Sequence, residues 1–118
     1  MKTDGIAPTP EPERKKRAKE DSDILMKRAL TGVGVALVTP FTRDGKVDFA
    51  GLGRLVDYVI ENGVDYIVSL GTTAETVTLD RTERDAVAAF IVEHNAGRVP
   101  LVAGCGGNCT AEVVRMLD

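Results

Sequence analysis

Tryptophan is absent from the 118 residues, aromatic residues make up only 4%, and the chain has one histidine and two cysteines. Each shortage removes a class of function. Tyr58 and Tyr66 are too few, and too embedded in apolar pattern, to form a base-stacking platform. Cys105 and Cys109 stand four apart, but a metal site needs more ligands nearby, and His94 lies alone on an earlier segment; no metal is expected. Two thiols with no wider cysteine framework fit a reducing, cytoplasmic setting. No apolar run approaches the roughly 20 residues of a membrane span, and no apolar core of a secretion signal is present. A net charge of −3 gives no reason to expect nucleic acid or an anionic membrane as partner. The glycine-rich spots fail as nucleotide loops. Gly32-Val33-Gly34 lies inside an apolar run instead of after it, and Gly104-Cys105-Gly106-Gly107-Asn108-Cys109 puts cysteine where the third glycine of a dinucleotide fingerprint belongs. No cofactor is expected.

What is present divides into two regions. Residues 1–27 alternate Pro8, Pro10 and Pro12 with small or acidic residues, then run Arg14-Lys15-Lys16-Arg17-Ala18-Lys19-Glu20-Asp21. With almost nothing to bury, this segment is expected to be a disordered, charged tail. Met26 is a second candidate start. From residue 28 onward the pattern changes to buried strands and amphipathic helices. Val33 to Thr39 is apolar and β-branched, as a strand covered on both faces would be, and Pro40 ends it. Asp44-Gly45 marks a turn, Asp48 a helix N-cap, and Phe49, Leu52, Leu55, Val56, Val59 and Ile60 recur at helical spacing up to Asn62-Gly63. Gly51 and Gly53 inside that helix each cost about 1 kcal/mol against alanine, so packing must hold it.

Val64 to Leu70 predicts a second strand. Asp80 with Glu83 forms a capping box for a helix carrying Val87, Phe90 and Ile91, closed by Gly97. Leu101 to Ala103 predicts a third strand, and Asn108 or Thr110 caps a third helix. The order βαβαβα, with helices long enough to cross between parallel strands, defines an α/β fold. Three such units are fewer than half of a (β/α)₈ barrel, so residues 28–118 read as the N-terminal portion of a larger domain.

The stretch Val68-Ser69-Leu70-Gly71-Thr72-Thr73-Ala74-Glu75-Thr76 carries the chemistry. A strand ends, Gly71 permits a sharp turn, and Thr72 and Thr73 offer two hydroxyls and two amides suited to a small carboxylate. Glu75, being negative, is expected to hold the loop from a buried position instead of touching the anion. An ordinary strand-to-helix connection with capping residues is the alternative.

Gly34-Val35-Ala36-Leu37-Val38-Thr39-Pro40-Phe41, Gly71-Thr72-Thr73-Ala74-Glu75 and Pro100-Leu101-Val102-Ala103-Gly104, in that order, resemble the pyruvate-dependent Schiff-base lyases, the family of dihydrodipicolinate synthase and N-acetylneuraminate lyase. The resemblance runs from about Leu30 to Asp118 and implies the first three βα units of a TIM (β/α)₈ barrel. It implies that Thr72 joins a hydroxyl proton relay and that Thr73 binds the pyruvate carboxylate, with Gly71 and Glu75 supporting the loop. The family's usual second loop glycine is Ala74 here, which would be strained if that position required a positive φ. Consecutive threonines point to dihydrodipicolinate synthases, which condense pyruvate with aspartate semialdehyde and are commonly homotetramers; N-acetylneuraminate lyase or a sugar-acid aldolase is the alternative. Thr76, Asn108 and Glu112 match the region of the family's lysine effector site, although Arg81 and Arg84 stand where inhibited enzymes often have histidines. The Schiff-base lysine of the sixth barrel strand has no counterpart among Lys2, Lys15, Lys16, Lys19, Lys27 and Lys46. Only Lys46 lies in a βα loop, and its hydrophilic turn gives no burial to lower its pKa. A non-catalytic, partner-binding remnant is therefore the reading of a different class. Incubation with pyruvate and borohydride is expected to leave the mass of the chain unchanged, and a stable adduct would overturn this assignment of the missing lysine.

Overall fold

A computed structural model describes residues 10–117. Three short strands, β1 (Gly34–Ala36), β2 (Tyr66–Ser69) and β3 (Leu101–Ala103), form a parallel sheet in the order β1-β2-β3. Val35, Ile67 and Leu101 lie side by side in register, as do Ala36, Val68 and Val102. Helices α2 (Phe49–Glu61) and α3 (Arg81–Asn95) make the crossovers, and α4 (Thr110–Leu117) follows β3. This is the succession of βα units with which a (β/α)₈ barrel begins.

The core forms where α2 and α3 cover one face of this sheet. Leu37 and Ile67 from the strands meet Leu52, Val56 and Val59 of α2 and Val87 and Ile91 of α3. Apolar positions expected from helical spacing are thus the ones that pack. On the opposite face Ala36 and Val38 are exposed. Expected to be buried on both faces, the run from Val33 to Thr39 instead alternates: Leu37 and Thr39 are buried, while Val33 and Val38 are 61% and 48% exposed. Its paired portion is also shorter than expected, because β1 is an edge strand with helices on one side only.

The helix starts follow their caps. Asp48 accepts the Gly51 amide at 2.8 Å, and Asp80 and Glu83 complete the capping box with bonds of 2.8 and 2.9 Å. For α4 the cap differs from expectation: the Glu112 and Val113 amides donate to the Cys109 carbonyl, so neither Asn108 nor Thr110 holds that position. Gly53 has its reason in the α2–α3 contact, since a Cβ there would sit 3.1 Å from His94 Cε1 and 3.4 Å from the Phe90 ring.

Where the sequence predicts a disordered tail over residues 1–27, the structure has a helix, α1 (Glu11–Ala29). Residues 1–9 of that segment lie outside the described residues. The helix is rich in Glu, Lys, Arg and Ala, which lose little side-chain freedom on becoming helical, and Glu11 pairs with Lys15 one turn on at 2.6 Å. Its described side chains from Glu11 to Asp23 are exposed, which agrees with the absence of a buried face in the sequence.

Asp57 of α2 ties the two crossover helices together at the surface. Arg98 donates to its Oδ1 at 2.7 Å, and His94 Nε2 lies 3.0 Å from its Oδ2, with the imidazole stacked on Phe90. His94, in the last turn of α3, thus belongs to a clamp between helices. The Arg98 guanidinium, and after it His94, hold the Asp57 carboxyl below its ordinary value of 3.8. A depressed folded-state value means the clamp's stabilisation is complete above that ordinary value and fades as pH falls through the lower one. The stability difference between the native chain and Asp57→Asn, followed by urea unfolding, is therefore expected to be constant near neutrality and to shrink only below about pH 4. A difference that stays constant down to pH 2 would contradict the clamp.

Candidate functional site

Parallel strands place all their following loops at one end of the sheet, the end at which barrel enzymes keep their active sites. Three loops meet this description: Pro40 to Asp48, Leu70 to Asp80 and Gly104 to Cys109. The middle one contains the threonine pair. Instead of running directly into a helix, it forms two short 3₁₀ turns, Thr72–Ala74 and Thr76–Thr78, before α3 begins. Two residues bracket the first turn in left-handed backbone, Leu70 with φ 54° and Glu75 with φ 56°. Each such conformation in a non-glycine residue costs on the order of 1 kcal/mol or more and persists only where the surroundings enforce it.

The source of enforcement is visible. Thr39, buried at the end of the β1 segment, donates its Oγ1 hydrogen to the Ala74 carbonyl at 2.8 Å. Ala74 is itself buried, so this bond satisfies an acceptor that water cannot reach. Behind the loop, the Gly104 amide donates to the Ser69 carbonyl at 2.8 Å, and a Cβ on Gly104 would collide with the Leu70 carbonyl. The left-handed Leu70 is thus set against a backbone that only glycine allows so close.

This geometry corrects several expectations. Gly71 is not the turning residue: its φ is −76°, and a Cβ would meet nothing nearer than Val68 Cγ1 at 3.8 Å. Leu70 makes the turn instead. Ala74 lies inside the first 3₁₀ turn, and the positive φ falls one residue later, so alanine in place of the family's second glycine is unstrained. Glu75 was expected to be buried, but its side chain is exposed. It supports the loop through its backbone, donating to the Thr72 carbonyl at 3.0 Å and accepting from the Thr78 amide and hydroxyl.

Thr72 and Thr73 are both exposed, and neither hydroxyl is engaged by a described residue. Because the first bond of the turn runs from the Ala74 amide to the Gly71 carbonyl, the amides of Thr72 and Thr73 precede it. Two hydroxyls and two amides on a braced turn can receive a small anion without prior unpairing. Lys46 sits on the neighbouring loop, exposed and 3.5 Å from Asp44. Beside the threonine loop, a cavity of about 490 Å³ is lined in part by Leu70, Thr76, Gly104 and Glu112; Thr72, Thr73 and Asn108 are not among its walls. Of the three residues implied for an effector region, the cavity therefore collects Thr76 and Glu112. Sequence reasoning missed Thr39, because a threonine ending an apolar strand looks like strand composition and nothing local reveals its long-range bond.

These elements define the opening βα units of a TIM barrel, with the threonine pair on the loop after the second strand. The sequence profile of the Dihydrodipicolinate synthetase family matches residues 29–117, and the chain belongs to that family. It is 53% identical over 88 residues to the 4-hydroxy-tetrahydrodipicolinate synthase of Parabacteroides distasonis, covering 75% of this chain and 30% of that protein. Against the synthase of Flavobacterium psychrophilum the identity is 56% over 90 residues, 76% of this chain and 31% of that one. The chain thus spans about 30% of the length of these curated relatives. Among solved structures, dihydrodipicolinate synthase from Aquifex aeolicus superposes with a TM-score of 0.69 at 44% identity, over 74% of this chain and 29% of that one. N-acetylneuraminate lyase from Mycoplasma synoviae gives 0.69 at 36%, over 75% and 31%.

The Thr39 bond gives the site its first test. Thr39→Val leaves the buried Ala74 carbonyl without a donor, and is expected to cost about 1–3 kcal/mol in urea unfolding. Thr39→Ser keeps the donor and should recover most of that loss; equal losses in the two variants would show that the hydroxyl does not hold the loop.

Proposed function

We propose that this chain is the N-terminal part of a lyase that condenses pyruvate with L-aspartate 4-semialdehyde to 4-hydroxy-tetrahydrodipicolinate, a step of lysine and diaminopimelate biosynthesis. The observation that carries the reading is the braced Thr72-Thr73 turn at the catalytic end of the sheet, in a chain 53% and 56% identical to two such synthases over the 88 and 90 residues aligned with them. In this reading the Thr73 amide and hydroxyl hold the pyruvate carboxylate, a charge-assisted arrangement that fixes the substrate's orientation. Thr72 Oγ1 passes protons at the reacting centre. The lysine that forms the imine belongs to a later barrel strand, outside these 118 residues, so the isolated chain is inactive.

A second reading, another pyruvate-dependent aldolase of the family, is supported by the equal superposition on N-acetylneuraminate lyase. The consecutive threonines favour the synthase. A partner-binding remnant is the non-enzymatic counterpart, supported by the exposed faces of the sheet edge and α4, where Val33 and Leu117 are 61% and 69% exposed. In the full-length protein we propose a cytoplasmic homotetramer acting on small molecules.

The experiment joins this chain to the part of the Parabacteroides distasonis synthase that follows its matching segment. The chimera is expected to condense pyruvate with L-aspartate 4-semialdehyde. Thr72→Val should lower kcat about a hundredfold or more, and Thr73→Val should raise KM for pyruvate roughly tenfold. A folded chimera with no condensation activity, or one unaffected by both substitutions, would overturn the proposal.

A further inference from the structure

Cys105 and Cys109 are free thiols and the two cysteines of these 118 residues, so the one bridge either can make within them is to the other. Among the described residues no group of three His, Cys, Asp or Glu side chains could hold a metal, so the pair is not part of such a site. Gly106, Gly107 and Asn108 separate the two cysteines. Fully extended, that stretch would set their Cα atoms roughly 13 Å apart, beyond the roughly 4.4–6.8 Å of a disulfide. The loop is not extended. A Cβ on Gly107 would sit 3.3 Å from Val113 Cγ2, so the middle of the loop folds back onto the first turn of α4. Cys109 opens that same turn, its carbonyl accepting the Glu112 and Val113 amides at 3.1 and 3.0 Å. A Cβ on Gly106 would meet nothing within 4 Å, which leaves the chain there free to bend further.

The two thiols differ in access: Cys109 is exposed and Cys105 half-buried. A small-molecule disulfide therefore meets Cys109 first. The Cys109 thiolate attacks one sulfur of that disulfide, forming a mixed disulfide and expelling one small thiolate. Cys105 then attacks the Cys109 sulfur and expels the second. The two thiol protons pass to the departing thiolates, so the pair loses two electrons and two hydrogens while the small disulfide becomes two thiols. The exposure that admits the oxidant also admits a thiol reductant, and the bond is reversible.

Cys105 directly follows Gly104, whose amide donates to the Ser69 carbonyl at 2.8 Å and where a Cβ would collide with the Leu70 carbonyl. Closing a ring over residues 105–109 fixes the chain immediately after that contact. We propose that Cys105 and Cys109 are a redox-modification site, closed by a small-molecule disulfide of the glutathione class into a reversible bridge that acts on the entry to the threonine loop through Gly104. The proposal does not rest on the lyase reading, since thiol exchange and loop geometry belong to this chain without turnover.

Equilibration of the ¹⁵N-labelled 118-residue chain with mixtures of reduced and oxidised glutathione, read by amide spectra and, after acid quenching and alkylation, by intact mass, tests it. The expected product is a monomer about 2 Da lighter with neither cysteine alkylated, restored by dithiothreitol. Its formation constant should fall about tenfold or more in urea that unfolds the chain, because unfolding releases the fold-back at Gly107 and lowers the effective concentration of one thiol at the other. The Leu70 and Gly71 amide resonances should move on oxidation and return on reduction. Cys105→Ser should accumulate a mixed disulfide at Cys109, which has lost its resolving partner, and give no lighter monomer. A folded chain whose thiols both stay open to alkylation, or that ends in mixed disulfides or dimers, would overturn the proposal. So would an equal formation constant in urea, or Leu70 and Gly71 resonances that stay in place on oxidation.

Discussion

The hydrogen bond from Thr39 to the Ala74 carbonyl is the constraint on which the site depends. It joins the end of the first strand to the loop after the second, two segments 35 residues apart in sequence. Without such a tie, a turn carrying left-handed leucine and glutamate would relax, because each of those conformations is costly by itself. A buried donor meeting a buried acceptor is the kind of bond whose loss is expensive, since neither partner can turn to water. Core packing of Leu37 and Ile67 against α2 and α3 sets the strands, and the Thr39 bond transmits that rigidity to the loop.

The second support is steric. Gly104, just after β3, lies against the Leu70 carbonyl, so the strand order β1-β2-β3 braces the loop from both sides, by the Thr39 hydroxyl from the segment after β1 and by bare backbone after β3. The threonine pair therefore sits on the loop after the middle strand of three, where the segments following both neighbours brace its entry. This explains how a short and exposed turn can keep its hydroxyls and amides in one arrangement, the condition for recognising an anion at small entropic cost.

Much of this architecture was legible in the sequence because the signals were local. Asp48, Asp80 and Glu83 announced their helices through capping chemistry, and the spacing of Leu52, Val56, Val59, Val87 and Ile91 located the core. Thr72 and Thr73 marked the loop as a candidate site. What failed depended on partners far along the chain or on backbone angles. Gly71 seemed to be the turning residue, since glycine is the usual answer to a sharp turn, whereas Leu70 takes that role where the bare backbone of Gly104 leaves room for its carbonyl. Glu75 seemed buried because the loop needed support, and that support comes from Thr39. Over residues 11–27, charge density suggested a structureless tail, but the same lysines, arginines and glutamates are good helix formers, and that preference decides the local conformation.

The most direct test of the account is a crystal structure of the chimeric enzyme after borohydride reduction with pyruvate. The account predicts the pyruvyl carboxylate within about 3.2 Å of both the amide nitrogen and Oγ1 of Thr73, with the Thr39 bond to Ala74 intact. A carboxylate bound elsewhere, beyond hydrogen-bonding distance of Thr73, would contradict it.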